Sequence, residues 1–422
     1  MKPSLQLIQL TEHVDNLHTT IEGLSGTCYF KGQEVDLRNR PQLPCYTINE
    51  YGISSNYYIG VDWLSTKRKC AIHISPKLNT EDHETAYLKM LLACLNDPKA
   101  SRYLSSIYEI KLNSEAIEIN QSQDVLSPIL AIQFLHLVKQ LVKKGLRKAY
   151  YNETHSLHSR IKGKLLISQT IKQHTVKNEP LKAQCSYDVF GLNHPENQLL
   201  KAALLFVQSY LNKFKQYSDL VAPIVSYCLP AFQQVKVPKD LRNLRSFKSS
   251  PFFSNYKEAL TIARIILDQF GNVVRTTETG KIKTLPYWVN MALLFELYVY
   301  TLLRKKFGNQ VLYQYKANYQ ELDFLLRTED VKLVIDTKYK PRYTTSPINK
   351  EDVRQLSGYS RIKKVRTHLK VTENELVKCL IIYSNKHNNN TIEPELNFEN
   401  MEEEPRYEGI FKLGVSLPWI NP

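Results

Sequence analysis

Two aspartates and a lysine in one stretch, YQELDFLLRTEDVKLVIDTKYKP (residues 319–341), restrict the fold of this chain more than any other feature. Both halves are rich in Leu, Val, Ile, Phe and Tyr around the polar turn Thr328-Glu329-Asp330, the pattern of two strands joined as a hairpin. Side chains alternate faces along a strand, so Asp336 and Lys338 share one face, with Leu333, Ile335 and Thr337 on the other. A hairpin folded between Glu329 and Asp330 sets Leu326 against Leu333 and Asp323 against Asp336. Cross-strand partners have Cβ atoms about 4.5–5.5 Å apart, within reach of one shared divalent cation. Without a cation, facing like charges destabilise a sheet. The pairing therefore needs a chemical reason.

Metal-dependent phosphodiester hydrolysis supplies one. A hard cation such as Mg²⁺, or Mn²⁺ in its place, takes oxygen ligands and keeps some of its waters, so Asp323 and Asp336 suffice to hold it against a phosphate. The metal polarises the phosphate and acidifies water, while Lys338 orients the attacking water and offsets charge on the phosphorane. The plainer reading has acids facing solvent and a snorkelling lysine, and it suits most isolated D…DxK matches, because so short a pattern arises by chance.

The flanking segments favour the chemical reading. Upstream, LPYWVNMALLFELYVYTLLRKKFG (285–308) is apolar nearly all round except for Asn290 and Glu296, which predicts a buried helix. A glutamate inside such a helix is costly unless paired or bound to metal. Glu296 is thus a candidate third carboxylate, against the alternative of an exposed surface position. Downstream, INKEDVRQLSGYSRIKK (348–364) predicts a helix capped by Asn349. Gln355 and Tyr359, four apart, share one face of it, either as ordinary packing or in support of the site. A last strand follows near VKCLIIYS.

Composition is less specific. The length, 422 residues, suits two or three domains. A net charge of +15 favours a polyanionic partner, nucleic acid ahead of an anionic membrane surface, unless it reflects only a lysine-rich proteome. Seven cysteines without a CxxC pair suggest reduced thiols rather than a disulfide scaffold or zinc site. His155 and His158 lack cysteine neighbours and read as ordinary histidines. No signal pattern or membrane-length apolar run occurs, so a soluble, cytoplasmic protein without a membrane role is expected.

Pattern shifts predict three regions. Residues 1–125 hold short β-like runs (GTCYF, PCYTI, YYIGVDW, CAIHIS) and then a helical stretch, EDHETAYLKMLLACL. Residues 126–275 are mainly helical, with PILAIQFLHLVKQLVKKG stopped by Gly145 and a strong amphipathic helix in ENQLLKAALLFVQSYLNKF. Toward the end of this region, before residues 276–422, Lys236, Lys239, Arg242, Arg245 and Lys248 recur every third residue, as a phosphate-facing stripe or simply a solvated face. The segment 385–406 reads as a loose acidic loop before a final strand, YEGIFKLGVSL. There is no internal repeat. There is no GxxxxGK[ST] either, so the chain has no phosphate cradle of that type.

From about Thr284 to Ser384 the chain resembles the PD-(D/E)xK nuclease superfamily. Asp323 matches the first acid, Asp336-Thr337-Lys338 the DxK, Glu296 the helix glutamate of many members, and Gln355 and Tyr359 the QxxxY element. Leu322 stands where the name motif has proline, at a variable position. The remainder resembles the McrC family, nuclease subunits of modification-dependent restriction systems. Tyr57–Leu78 is similar to that family's hairpin ending in IxPK (Ile74-Ser75-Pro76-Lys77), Val142–Tyr151 to its GLxxxY segment, and Leu157–Ile167 to its basic RGxI-type strand. In the last of these, two residues separate Arg160 from Gly163. His194–Leu204 is similar to its NxxLK helix through Asn197, Leu200 and Lys201.

The resemblance implies an α/β (α+β overall) fold. A C-terminal restriction-endonuclease-like domain with a mixed sheet flanked by helices follows a β-rich first domain and a helical middle. It also implies a Mg²⁺-dependent DNA endonuclease acting on 5-methylcytosine-type targets, with metal on Asp323, Asp336, Glu296 and the Thr337 carbonyl. The implied partner is a GTP-hydrolysing AAA+ motor, McrB-like, which binds the GTP, supplies target recognition and has its hydrolysis stimulated by the N-terminal half. Arg147, Lys148 and Arg160 are candidates for reaching that motor. The alternatives are a non-catalytic adaptor that clamps DNA and a self-sufficient nuclease of repair or phage defence.

Overall fold

The computed structural model describes residues 5–15, 25–30, 43–78, 84–85, 87–111, 114–120, 126–212, 215–237, 254–273, 281–372, 374–385 and 396–420. The chain divides into two compact units, Met1–Ile129 together with Thr279–Pro422, and Leu130–Glu278. The stretches expected as a first and a third domain thus lie in one unit.

The two largest sheets of that unit have five and six strands. The first contains β1 (Gln6–Thr11), β2 (Tyr58–Ser65), β3 (Cys70–Ser75), β4 (Tyr108–Ile110) and β5 (Tyr287–Asn290), in the order β1-β3-β2-β5-β4. Only β1 and β3 run parallel. β5 corrects the expectation of one continuous helix over 285–308. Tyr287, Trp288 and Val289 are aromatic or β-branched, suited to a pleated surface, and all three are buried between β2 and β4. The helix α1 (Met291–Phe307) starts only after them, with the Asn290 side chain accepting from the Leu293 N–H at 3.0 Å. At the crossing of β2 with β5, Gly60 has φ +154°, and a Cβ there would lie 2.1 Å from the Tyr287 carbonyl oxygen. Only glycine admits that approach.

The second sheet is mixed. Its strands are β6 (Val311–Ala317), β7 (Gln320–Arg327), β8 (Lys332–Lys338), β9 (Lys378–Asn385), β10 (Glu402–Glu403) and β11 (Ile410–Ser416), in the order β6-β7-β8-β9-β11-β10. β8, β9 and β11 run parallel and their neighbours antiparallel. On one face, α2 (Lys350–Ser360) and α3 (Lys363–Leu369) bury Val353, Leu356, Tyr359, Val365 and Leu369 against Leu325, Val334, Cys379 and Ile381. On the other, Tyr300 of α1 stacks on Tyr313 and Phe324. Asn349 caps α2, its side chain accepting from the Glu351 N–H at 3.2 Å.

The acidic loop expected over 385–406 is partly strand. Glu402 and Glu403 form the edge strand β10, with Glu402 opposite Lys412 and 3.3 Å from its ammonium. That opposite-charge cross-strand pair suits an edge.

The second unit is not only helical. Ala149–His158 and Lys182–Gly191 form a long antiparallel pair, Ala149 opposite Gly191 and His158 opposite Lys182. Lys164–Leu165 adds a short third strand. The helix Pro195–Asn212 packs against Lys215–Cys228 and Ser254–Val273. Two of the family-like residues here hold main-chain carbonyls. Asn197 donates to the carbonyls of Arg147 and Leu192, and Lys201 to those of Phe232 and Val235. The basic stripe lies outside the described residues except for Lys236. Among the described residues no helix is long and apolar enough to cross a membrane.

Candidate functional site

The hairpin of β7 and β8 has the register anticipated from its turn, with Leu326 opposite Leu333 and Phe324 opposite Ile335. The turn is closed by Thr328, which donates its N–H to the Val331 carbonyl while its hydroxyl accepts from the Val331 N–H, each at 2.8 Å. The ladder stops at Phe324 and Ile335, and the next positions are Asp323 and Asp336. There the Thr337 N–H donates to Asp323 Oδ2 at 2.8 Å, and the Thr337 hydroxyl donates to the same oxygen at 2.7 Å. A carboxylate takes the place of strand backbone. Asp323 is 4% exposed and Asp336 1%, so both acids are enclosed.

Lys338 lies at the end of β8. Its ammonium stands 2.6 Å from Asp336 Oδ2 and 3.8 Å from Asp352 Oδ1, and donates to Gln355 Oε1 at 3.0 Å. Gln355 donates in turn to the Tyr359 hydroxyl at 2.7 Å, and that hydroxyl donates to the Glu321 carbonyl at 3.3 Å. Gln355 and Tyr359, the two residues read as one helix face, thus join Lys338 to β7. Burial alone would lower the Lys338 pKa, but the Asp336 and Asp323 carboxylates outweigh it, and the net direction is upward. The lysine stays charged.

Glu296 is 8% exposed on α1. It hydrogen-bonds Tyr313, whose phenol is pushed well above its ordinary pKa by burial and by the Glu296 and Asp323 carboxylates beside it. Glu296 therefore reaches the site through Tyr313. Among the described residues, no three or more His, Cys, Asp or Glu side chains are grouped to hold a metal.

Two features escaped the sequence reading. The first is Asp352, three residues before Gln355 and so on a neighbouring position of the same helix surface. It accepts from Lys340 at 2.9 Å and from the Tyr343 hydroxyl. Burial raises its pKa, but these donors and the charge of Lys338 prevail and hold it below the usual carboxylate range. The second is Lys77, noticed only as the end of a motif. Its ammonium donates to the Tyr339 carbonyl at 3.0 Å. Nothing local in the sequence announces that contact. On the outer side of α2, Lys350, Arg354 and Arg361 line a groove with Ser357 and Tyr407, a cationic surface suited to phosphates.

The basic residues of the second unit have different surroundings. Arg147 pairs with Glu196 at 2.9 Å, its N–H donates to the Tyr256 hydroxyl, and its carbonyl accepts from Asn197. Arg160 and Lys148 are both exposed. His155 lies 2.8 Å from Glu153, and His158 is in contact with Ser159. All seven cysteines are free thiols.

A family model described as the McrBC 5-methylcytosine restriction system component matches residues 54–371. No curated protein matches the chain. Among solved structures it is distantly similar to a refined half-complex from a tetradecameric assembly of Thermococcus gammatolerans McrB AAA+ hexamers with bound McrC. That match has 15% identity and a TM-score of 0.36, covering 86% of this chain and 78% of that one. A cryo-EM structure of the Thermococcus gammatolerans McrBC complex is similar at 13% identity with a TM-score of 0.28, covering 80% of this chain and 93% of that one.

Proposed function

Since the chain belongs to the family of McrBC 5-methylcytosine restriction system components, we propose that it is the subunit that cuts DNA, a Mg²⁺-dependent endonuclease of the PD-(D/E)xK type. The observation that carries this reading is the enclosure of Asp323 and Asp336 at the open end of one hairpin, with Lys338 held between Asp336 and Gln355.

The donor set fits a hard cation. Two enclosed carboxylates suit Mg²⁺, which keeps several waters and needs only one or two carboxylates. Asp323, Asp336 and the Thr337 carbonyl would hold it, with Glu296 assisting through Tyr313. Bound there, the metal supplies Lewis-acid charge to the phosphate oxygens and to water. Lys338 donates hydrogen bonds, orienting the attacking water and offsetting negative charge as the phosphorus becomes five-coordinate. Gln355 fixes where that ammonium points, and Tyr359 fixes Gln355.

DNA is the proposed substrate. A net charge of +15 and the Lys350–Arg354–Arg361 groove support a polyanion. The proposed partner is a GTP-hydrolysing AAA+ motor of the McrB kind, which would bind the GTP and choose the target. The lack of a GxxxxGK[ST] motif in this chain supports that division of labour.

The test is cleavage of methylated and unmethylated plasmid with Mg²⁺, by the chain alone and with the motor plus GTP. Cleavage only with motor and GTP is expected. Cleavage by the chain alone would favour a self-sufficient nuclease. Stimulated GTP hydrolysis without any cleavage would favour an adaptor.

A further inference from the structure

A box of residues from the two ends of the chain closes directly behind the site. Tyr339, next to Lys338, donates its hydroxyl to Glu12 Oε1 at 2.8 Å, and the main-chain N–H of Lys77 donates to the same oxygen at 3.0 Å. The Lys77 ammonium returns to the Tyr339 carbonyl at 3.0 Å and lies over two rings, 3.9 Å from the centroid of Tyr339 and 4.5 Å from that of Tyr57. Glu12 is 1% exposed and Tyr339 4%. A charged pair in so dry a place is expensive, and two cation–π contacts with directed hydrogen bonds recover part of that cost.

The box also reaches the other wall of the site. The Tyr57 carbonyl accepts from the Met291 N–H at 2.9 Å, at the first turn of α1. Phe295, the neighbour of Glu296, packs on Tyr339 with centroids 5.9 Å apart. Lys340, one residue beyond, is tied to Asp352 at 2.9 Å. The peptide that follows Lys338 is thereby gripped from both sides, by the first sheet through Tyr339 and by α2 through Lys340.

We propose that Glu12 and Lys77 are positioning residues for phosphodiester cleavage, clamping Tyr339 and so fixing the main chain that carries the Lys338 ammonium to the scissile phosphate. This rests on the nuclease reading. The first sheet is then part of the cutting machinery. The lysine that ends the IxPK element both bonds the Tyr339 carbonyl and lies on the two rings. Arginine is the nearest replacement, since it is a cation that stacks on rings.

The experiment uses the full chain with its motor and GTP, comparing Lys77→Met, Lys77→Arg and Tyr339→Phe with wild type. Four quantities are read: single-turnover cleavage at saturating DNA and Mg²⁺, DNA affinity, stimulated GTP hydrolysis, and amide hydrogen exchange of the peptide spanning 336–341. For Lys77→Met the expectation is cleavage about ten- to a hundredfold slower, the size of effect expected when a reacting group is misplaced by about 1 Å. DNA affinity and stimulated GTP hydrolysis are unchanged, and exchange at 336–341 is faster. Lys77→Arg restores both rate and protection. Tyr339→Phe, which removes only the hydroxyl, shows the same changes in smaller measure and decides the matter if Lys77→Met fails to fold. Wild-type rate and protection in Lys77→Met, or no recovery in Lys77→Arg, would overturn the clamp. If wild type itself does not cleave, the nuclease reading fails, and exchange at 336–341 still decides whether Lys77 holds that peptide.

Discussion

The Thr337 hydroxyl and main-chain N–H both donate to Asp323 Oδ2, at 2.7 and 2.8 Å, where the hairpin ladder would otherwise continue. Two donors on one oxygen set the carboxylate's rotamer and leave its second oxygen a defined direction. Thr337→Val keeps the side-chain volume and removes the hydroxyl bond. A hydrogen bond to a charged group contributes about 2 kcal/mol. Urea denaturation should show a loss of about that size, with slower cleavage, and a midpoint equal to wild type would count against this role for Thr337.

Asp336→Asn and Lys338→Ala should each slow cleavage by about 10²–10⁴-fold, the range for a positioned group acting directly on the reaction. Circular dichroism and motor binding should match wild type, since neither change leaves a large cavity. Loss of the fold together with cleavage would make these residues structural.

Gln355→Ala removes the amide that accepts from the Lys338 ammonium. A drop of about tenfold in single-turnover rate is expected for one lost charge-assisted bond. Tyr359→Phe, one step further out, should cost less. The reverse order of effects would contradict the chain running from Tyr359 through Gln355 to Lys338.

Burial, reinforced by the charge of Lys340 and opposed by Glu12, lowers the Lys77 pKa from 10.5 to about 8. Between those two values the folded chain holds fewer protons than the unfolded chain, so the free energy of unfolding rises with pH across that window and is level below it. The slope reaches at most about 1.4 kcal/mol per pH unit. Denaturation of wild type and Lys77→Met at pH 7, 8 and 9 should show the rise only in wild type. Parallel curves would mean Lys77 titrates normally.

Gly60→Ala places a Cβ against the Tyr287 carbonyl, and backbone cannot yield there without parting β2 from β5. The expected cost is about 3 kcal/mol, the upper end for overpacking. Thermal unfolding measures it.

The hairpin register, the Asn349 cap and the shared face of Gln355 and Tyr359 were all legible, because each depends on local geometry alone. A turn with period-two alternation fixes which residues oppose one another, and a 3.6-residue period fixes which share a helix face. Tyr287–Asn290 was misread as helix for a related reason. Apolar runs look alike in a buried strand and a buried helix, and only β2 and β4 on either side make this one a strand. Asp352 was overlooked because an acid in the first turn of a helix ordinarily reads as a favourable charge near the dipole.

By itself, the sequence determined the chemistry available, namely two acids and a lysine at one end of a hairpin and a helix face poised to meet them. Tertiary structure decided what surrounds that chemistry. It placed Tyr57 and Lys77 against Tyr339 and Glu12 beneath it, joined Glu296 to the site through Tyr313, and made β5 a strand of the first sheet. Those contacts link residues up to 327 positions apart. Such pairings follow from which apolar faces must be covered together, a property of the whole packed chain that no local spacing encodes.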